Sequence, residues 1–266
     1  MTIPIYQVDA FCSNPFQGNP AAVCTLEKAL PEHMMQKIAM ENNLAETAFV
    51  VPEGEDFSIR WFTPAVEVAL CGHATLASAF VYYNLLGYNK PEIRFHSKSG
   101  VLIVKKESDG KFTLDFPADF PVEVPHPPAE IFDGLDITPV KVYKGKFDYF
   151  VELESQSDID SLKPDMRKIA VIPSRGVLAT AKGDDVDFVS RCFFPQSGID
   201  EDPVTGSAHC LLVPYWSLKT GKKNLKAIQL SSRKGWLDCE LRDDRVLMSG
   251  YGVLFLKGEI YIPDAE

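Results

Sequence analysis

The sequence predicts an α+β fold of two similar domains, each with a curled, mostly antiparallel sheet or barrel around a central helix. Three observations support this prediction. Short strand candidates fill both halves of the 266-residue chain, two segments have the apolar content of helices buried on every side, and a proline-rich segment separates the halves. We expect a first domain over residues 1–117 and a second over residues 118–266, with the C-terminal strand either in the second domain or returning to the first.

The strand candidates are short, and many alternate apolar with polar residues. Such alternation indicates half-buried strands, because successive side chains point to opposite faces of a sheet. In the first half they are Ile3–Val8, Thr47–Val51, Ser58–Phe62, Glu92–His96, Val101–Lys105 and Lys111–Phe116. In the second half they are Lys141–Tyr143, Ala170–Ile172, Val177–Thr180, Asp187–Arg191, Ile228–Ser231, Asp238–Leu241, Val246–Met248 and Val253–Lys257.

The proline-rich segment Pro117–Pro128 lies between the halves. Five of its twelve residues are proline, which cannot donate a backbone hydrogen bond, so the segment forms neither a helix nor a central strand. It is the best candidate for a domain boundary.

Three helices are predicted, and two of them are unusual. Pro31–Asn42 mixes apolar and polar residues and begins with proline, as surface helices often do. By contrast, Ala74–Leu86 and Ser207–Leu218 contain no charged residue. A helix that is apolar all round has to be covered all round. With so many strands nearby, a sheet curled around each of the two helices is the simplest arrangement.

The two buried helices also follow similar sequences. Arg60-Trp-Phe-Thr-Pro64 precedes Gly72-His-Ala74, and Arg191-Cys-Phe-Phe-Pro195 precedes Gly206-Ser-Ala208. This similarity suggests an internal duplication. The two helix N-termini would then be equivalent. If they face one cleft, their unpaired amides and partial positive charge would bind a carboxylate and stabilise an enolate.

Composition excludes several classes of protein. The chain has 27 basic and 37 acidic residues, a net charge of −10, which works against nucleic acid and anionic membranes as partners. No apolar run is long enough for a membrane span, and no secretory signal is visible. The six scattered cysteines form no Cys-x-x-Cys pair, so we expect reduced thiols and a cytoplasmic protein. The common NAD, ATP and serine-hydrolase motifs are missing.

A few polar residues stand at positions that suit chemistry. Glu46 lies where a helix ends and a strand begins, as either a general base or an ordinary loop carboxylate. His73, at the start of a buried helix, either contacts a ligand or is a satisfied core histidine, and the helix N-terminus would favour its neutral form. For Cys71 a packing role is favoured over a reactive thiol.

Asp202 begins the segment Asp202-Pro-Val-Thr-Gly-Ser207, as either a helix N-cap or part of a functional loop. Asn19 follows Gly18 in a turn from which it could reach a ligand, although a plain turn is the simpler interpretation. The acidic run Asp200–Asp202 has no histidine-rich partner segment, so we expect no metal.

Several motifs, in this order and spacing, resemble the PhzF-like (phenazine biosynthesis F) isomerase family. The resemblance runs from about residue 5 to residue 260. Its motifs are Val8-Asp-Ala-Phe11, Gly18-Asn-Pro20, Asn43-Leu-Ala-Glu-Thr-Ala-Phe49, Arg60-Trp-Phe-Thr-Pro64, Leu70-Cys-Gly-His-Ala-Thr75 and Glu201-Asp-Pro-Val-Thr-Gly-Ser-Ala208.

This resemblance implies a diaminopimelate-epimerase-type fold with the active site between two similar domains. It also implies proton transfer without a cofactor, and homodimers are common in the family. By the same resemblance Glu46 matches the catalytic acid/base, and His73 and Asp202 match assisting catalytic residues. Gly72, Gly206 and Ser207 match helix-terminal substrate contacts, and Asn19 matches a further substrate contact.

Two departures from the related patterns bear on function. The family usually has serine before the catalytic glutamate, and here the residue is Ala45. Related epimerases use two facing cysteines; here Cys71 occupies the first position, but Asp202-Pro203 occupies the second. We therefore expect an isomerase that moves a proton on a small carboxylate-bearing metabolite. The alternatives are an amino-acid epimerase or racemase using Cys71 and a second base, and a non-catalytic small-molecule-binding protein.

Overall fold

A computed structural model describes residues 1–138 and 141–262, and the chain divides into two compact units. The first unit contains Met1–Asp115 and Ser249–Glu266, and the second contains Phe116–Met248. In each unit, strands pack around one long buried helix. The described helices include none that is long and apolar enough to cross a membrane, and all six cysteines are free thiols.

The strands are numbered in chain order. The first eight are β1 Thr2–Ala10, β2 Asn19–Thr25, β3 Glu46–Glu53, β4 Asp56–Phe62, β5 Glu67–Val68, β6 Glu92–Ser97, β7 Gly100–Lys106 and β8 Phe112–Pro117. The others are β9 Val122–Glu123, β10 Lys141–Lys144, β11 Asp148–Glu152, β12 Gly176–Lys182, β13 Phe188–Phe193, β14 Asn224–Gln229, β15 Gly235–Arg242, β16 Arg245–Gly250 and β17 Gly252–Tyr261.

Six α-helices and one short 3-10 turn complete the described structure. The helices are α1 Glu32–Asn42, α2 Gly72–Leu85, α3 Ala129–Leu135, α4 Gln156–Ser161, α5 Met166–Ile169 and α6 Gly206–Thr220, and the 3-10 turn is Pro195–Ser197. The predicted helices correspond to α1, α2 and α6, and each of the two buried helices begins one or two residues before its predicted start.

The two units repeat one strand pattern. In the first, β1 pairs with β2 antiparallel, β2 with β3 parallel, β3 with β4 antiparallel, β4 with β6 parallel and β6 with β7 antiparallel. In the second, β10 to β15 pair in the same alternation of antiparallel and parallel neighbours. The long helix follows the fourth strand of the pattern each time, so the internal duplication inferred from the sequence is confirmed. The C-terminal strand β17 pairs antiparallel with β1, in the first unit.

The repeat extends to one pair of side chains in each unit. Arg60 on β4 donates to both carboxylate oxygens of Glu67, at 2.7 and 2.6 Å. Arg191 on β13 donates to both carboxylate oxygens of Glu201, at 2.7 and 2.9 Å. Each arginine joins its strand to the segment that leads into the buried helix. Two-point pairs of this kind fix orientation as well as distance.

The helices α2 and α6 are enclosed, as their composition predicts. Every residue of α2 from His73 to Ala79 is buried, and in α6 the run from Leu211 to Ser217 is buried. Polar side chains inside α2 are satisfied within the helix, because Ser78 donates to the carbonyl oxygen of Ala74 at 2.8 Å. Covering a helix on every side removes most of its apolar surface from water, which is the dominant stabilising effect in folding.

The strand predictions contain one error and several omissions. Ala170–Ile172 is not a strand, because Ala170 is the C-cap of α5 and the chain turns after it. The sequence analysis missed β2 and β11, which are buried almost throughout, so neither shows the alternation that marks a half-buried strand. The helices α3, α4 and α5 were also missed; each is at most 7 residues long, too short for a clear helical period.

Candidate functional site

Three of the predicted site residues in the first unit lie at the beginning of an element. Asn19 begins β2, Glu46 begins β3, and His73 is the second residue of α2. Because β2 and β3 run parallel, with Ala21 opposite Glu46, the two strands begin at the same edge. Gly18 makes the approach to β2 possible: its φ is +66°, and a Cβ there would lie 2.2 Å from the carbonyl oxygen of Ala10.

His73 is the centre of this group. Its Nε2 lies 3.0 Å from Oε2 of Glu46, and its Nδ1 lies 3.1 Å from Nδ2 of Asn19. All three residues are buried, with exposed fractions of 4% for His73, 9% for Glu46 and 0% for Asn19. The contact with Glu46 is at ion-pair distance but is not aligned as a hydrogen bond, since Oε2 has no hydrogen-bond partner among the described residues. Glu46 is therefore neither a solvated loop residue nor a cap.

The thiol of Cys71 adjoins the same imidazole. Its Sγ lies 3.5 Å from Nδ1 and 3.9 Å from Nε2 of His73. Burial and the neighbouring Glu46 carboxylate raise the pKa of Cys71 to about 11, and the contact with His73 offsets only part of that rise. At neutral pH Cys71 is therefore a protonated thiol and a poor nucleophile or base.

The pKa of His73 lies well above its usual value. Burial lowers the pKa of His73, but the negative charges that Cys71 and Glu46 can carry, and the contacts with both side chains, raise it by more. The expectation that the helix N-terminus would favour neutral His73 is wrong, because the contacts with Cys71 and Glu46 raise the pKa of the imidazole.

Asn19 couples its own orientation to the protonation of His73. When Nδ2 of Asn19 donates to Nδ1, that ring nitrogen is an acceptor, and Nε2 carries the single ring proton toward Glu46. A second proton on the ring requires the oxygen of Asn19 to face Nδ1 instead. The amide therefore has a preferred orientation for each charge state of the imidazole.

The N-terminus of α2 has no side-chain cap. Its N-cap is Cys71, whose side chain accepts no hydrogen bond from the helix, and the helix begins with Gly72. The first amides of α2 are thus not used by a capping side chain, and Gly72 places no side chain in front of them. This end of α2 adjoins the His73–Glu46 pair, which brings Asn19, Glu46, Gly72 and His73 together as predicted.

The other predicted site residues form a second group, in the second unit. Asp202 lies in the loop between β13 and α6 and is 9% exposed. Its Oδ2 accepts a hydrogen bond of 2.5 Å from the hydroxyl of Thr205. Thr205, not Asp202, is the N-cap of α6, so the alternative of Asp202 as N-cap is wrong. Gly206 and Ser207 are the first two residues of α6, which again has no side-chain cap.

Gln229 holds this loop from the end of β14. Its Oε1 accepts from the backbone amide of Thr205 at 2.8 Å, and its Nε2 donates to the backbone oxygen of Asp202 at 2.6 Å. Gln229 is 0% exposed. Sequence analysis missed both Gln229 and Thr205, since a lone glutamine at a strand end belongs to no motif. The helix repeat could have identified Thr205.

The repeat corrects one residue correspondence. Cys71 precedes Gly72 as the N-cap of α2, and Thr205 precedes Gly206 as the N-cap of α6. The position matched earlier to Asp202-Pro203 is therefore held by Thr205, whose hydroxyl donates to Asp202. A pair of cysteines at the two N-caps, as in the related epimerases, is absent from this chain.

Comparisons with solved structures first define the class of the fold. A protein described as a "probable proline racemase", from Agrobacterium radiobacter, superimposes with a TM-score of 0.64 at 10% identity, covering 99% of this chain and 93% of that protein, which shows a shared fold. A PhzF-family protein from Enterococcus faecalis superimposes with a TM-score of 0.95 at 46% identity, covering 98% of this chain and 100% of that one. The chain thus shares its fold with both proteins, and the predicted fold class is confirmed.

Sequence comparisons then give the family. The family model for phenazine biosynthesis-like proteins matches residues 8–258. An uncharacterized isomerase of Pseudomonas aeruginosa is 49% identical over 98% of this chain and 99% of its own length. The mouse phenazine biosynthesis-like domain-containing protein 2 is 41% identical over 98% of this chain and 99% of its own. The chain belongs to the PhzF-like family and is an isomerase-type enzyme.

Proposed function

We propose that this enzyme moves a proton within a small carboxylate-bearing metabolite, with Glu46 as the acid/base and without a cofactor. One observation carries the proposal: Glu46 is buried and its Oε2 lies 3.0 Å from Nε2 of His73. That separation is within the range over which a proton passes between a catalytic base and its partner. A buried carboxylate beside an imidazole supplies a base and a local proton donor, which is what proton transfer at carbon requires.

The proposed reaction has two proton transfers. The Glu46 carboxylate takes a proton from a carbon of the substrate, and the electrons of that C–H bond form an enolate or a new double bond. The carboxylic acid so formed then returns the proton to a different carbon on the same face of the substrate. The base is regenerated, and the substrate's atoms and charge are unchanged in number. His73 stabilises the carboxylate form of Glu46 before the first transfer and after the second.

The remaining predicted residues have binding and assisting roles in this proposal. Gly72, Gly206 and Ser207 would offer helix amides to the carboxylate of the substrate, because uncapped helix N-termini favour anions. Asp202 would assist catalysis, and Asn19 would orient His73 as well as contact the substrate. As the family resemblance implies, we also propose a homodimer, which light scattering coupled to gel filtration tests directly.

Deuterium exchange tests the mechanism. A panel of small carboxylic and amino acids is incubated with the enzyme in deuterated water, and each spectrum is followed by NMR for isomerisation and for loss of C–H signals. For a substrate found in this way, Glu46→Gln should lower the rate by about 10²–10⁴-fold, the usual contribution of a general acid/base. Unfolding curves check that the variant folds. A rate in Glu46→Gln within about threefold of the wild type overturns the proposal.

Cys71→Ala distinguishes the epimerase alternative in the same experiment. If Cys71 were one of two acid/base groups, its removal would abolish exchange at a stereocentre. Because the pKa of the thiol is raised to about 11 by burial and by Glu46, we expect Cys71→Ala to retain activity within about tenfold. A non-catalytic binding protein would instead bind the ligand equally in the wild type and in Glu46→Gln, and neither would turn it over.

A further inference from the structure

Three buried side chains of different chemistry converge at the start of α2. Glu46, Cys71 and His73 each present one potential ligand atom, and these atoms all lie within 4.8 Å of one another. The exposed fractions of the three residues are 9%, 6% and 4%. One carboxylate oxygen of Glu46 has no hydrogen-bond partner among the described residues, although it is buried. A buried polar atom left in this way is a sign that something else binds to it.

We propose that Glu46, Cys71 and His73 form a binding site for Zn²⁺, and that zinc bound there reversibly inhibits the enzyme. A thiolate, an imidazole and a carboxylate are the three ligand types that zinc takes from proteins. Three protein ligands leave a fourth position for water, as in many zinc sites with an accessible metal. Zinc bound at this site inhibits the enzyme and takes no part in the proposed proton transfer.

Two of the three distances between the ligand atoms are close to those of a tetrahedral zinc ion, and the third is below 4.8 Å. With metal–ligand bonds of about 2.0–2.3 Å, tetrahedral neighbours lie about 3.3–3.5 Å apart. In the structure, Nε2 of His73 lies 3.0 Å from Oε2 of Glu46 and 3.9 Å from Sγ of Cys71. One distance has to lengthen and the other to shorten by a few tenths of an ångström, which side-chain rotations of Cys71 and His73 can supply.

The same ligand set selects against the abundant hard cations. Mg²⁺ and Ca²⁺ need six or more oxygen ligands, and this cluster offers one carboxylate. The sulfur ligand favours softer ions and gives zinc an advantage. Metals bind the deprotonated forms of thiols and imidazoles. Zinc binding therefore displaces the proton of the Cys71 thiol and the proton on Nε2 of His73.

Inhibition follows from which atoms the metal would occupy. Zinc would coordinate the carboxylate oxygen of Glu46 that otherwise receives the substrate proton, and it would engage Nε2 of His73 at the same time. This part rests on the proposed function, because it assumes that Glu46 is the acid/base. The binding of zinc by Cys71 does not rest on it, so the two can be tested separately.

Zinc binding to the purified, chelator-treated enzyme is measured first, by competition with a chromophoric chelator. We expect one equivalent to bind with micromolar affinity or tighter, and Cys71→Ala to weaken binding by more than about 100-fold, the upper end of the loss caused by removing a supporting partner. Cobalt(II) in place of zinc should give a thiolate-to-metal charge-transfer absorption that Cys71→Ala lacks. Cys210→Ala removes another free cysteine, one that belongs to no cluster of potential metal ligands among the described residues, and should bind zinc as the wild type does.

Turnover is measured next, with and without zinc. We expect zinc to inhibit the wild type and Cys210→Ala, with recovery on adding chelator, and to leave the rate of Cys71→Ala unaffected. The proposal is overturned if no zinc binds, if Cys71→Ala binds it as tightly as the wild type, or if bound zinc does not inhibit. A Glu46→Gln enzyme that remained active would refute the proposed function, whereas the chelator competition would still decide whether zinc binds through Cys71.

Discussion

Arg191 donates hydrogen bonds from two nitrogens to the two carboxylate oxygens of Glu201, the residue immediately before Asp202. The side chains are 14% and 21% exposed. Both strand β13 and the loop that carries Asp202 are thereby held in one geometry. Removing the carboxylate leaves a largely buried guanidinium with fewer partners, which costs more than the loss of an exposed pair.

Glu201→Gln should therefore lower the stability of the protein and, through the assisting role proposed for Asp202, its activity. We expect a loss of about 1–2 kcal/mol in the free energy of unfolding, measured in urea, and a fall in kcat of about tenfold. Glu240→Gln is the matched control, since its partner Arg242 has a side chain that is 60% exposed. That change should cost less than about 0.5 kcal/mol. Equal losses in the two variants would contradict the role assigned to Glu201.

Asn19→Ala should remove the preference of the neutral His73 ring for one tautomer. At a pH above the raised pKa of His73, where the ring carries one proton, removing the amide that donates to Nδ1 lets that proton occupy either nitrogen. We expect kcat to fall by about tenfold, and the ¹⁵N shifts of the labelled imidazole to change toward a mixture of tautomers. Asn42→Ala removes another side-chain amide, at the end of α1, that donates to the hydroxyl of Thr47 at 3.1 Å. It should leave the ¹⁵N shifts of His73 unchanged, and a shift in this control of the same size would contradict the prediction.

Gln229→Met should disturb the loop of Asp202 with little change in side-chain volume. The backbone amide of Thr205 and the backbone oxygen of Asp202 both lose a buried partner. We expect a loss of about 2–4 kcal/mol in unfolding free energy and faster amide hydrogen exchange at Thr205. Gln196→Met is the control in the same unit, because the Gln196 amide donates to the carbonyl oxygens of Ile169 and Ile172. If both variants reduced kcat equally, Gln229 would have no special relation to Asp202.

His209 should make the protein less stable in acid. Burial lowers the pKa of His209 to about 4, although a hydrogen bond with the backbone oxygen of Thr205 opposes part of the shift. In the unfolded chain its pKa is about 6.5, so between these values the unfolded state binds more protons. As far as His209 is concerned, the free energy of unfolding is therefore highest above about pH 6.5. It falls as the pH drops toward 4, by about 3 kcal/mol in all.

The check is urea unfolding between pH 7.5 and 4.5 for the wild type and for His209→Gln, which carries no titratable group. The difference in unfolding free energy between the two proteins should change with pH in this range and level off above about pH 7. His33, in α1, is exposed, so His33→Gln is the control that removes a histidine without removing a buried one. A difference for His209→Gln that is constant across the range would contradict the prediction.

The architecture was predictable because its strongest signals are local. The segments that became α2 and α6 lack charge on every face, and no arrangement other than enclosure suits such a helix. The motifs at Asn19, Glu46 and His73 likewise identified residues that the fold brings together. In contrast, β2 was missed because a strand buried on both faces does not alternate.

The electrostatics of the site could not be predicted from the sequence. The direction of the His73 pKa depends on a carboxylate 27 residues away in the chain that lies 3.0 Å away in space. Gln229 and Thr205 are likewise joined only by folding. Such contacts produce no periodic pattern in the sequence, because they depend on where helices and strands end relative to one another. The sequence could therefore suggest candidate groups, but not their charge states.

The enclosure of α2 and α6 has a consequence for how each helix tip would receive an anion. A helix buried over most of its length cannot slide or tilt without displacing the strands around it, and protein interiors resist such movement. The amide dipoles at Gly72 and Gly206 are therefore already aligned before any ligand arrives, and little reorganisation energy is spent when charge develops opposite them. During evolution, substrate specificity can therefore change more easily through substitutions in the surrounding loops than at these rigid helix N-termini.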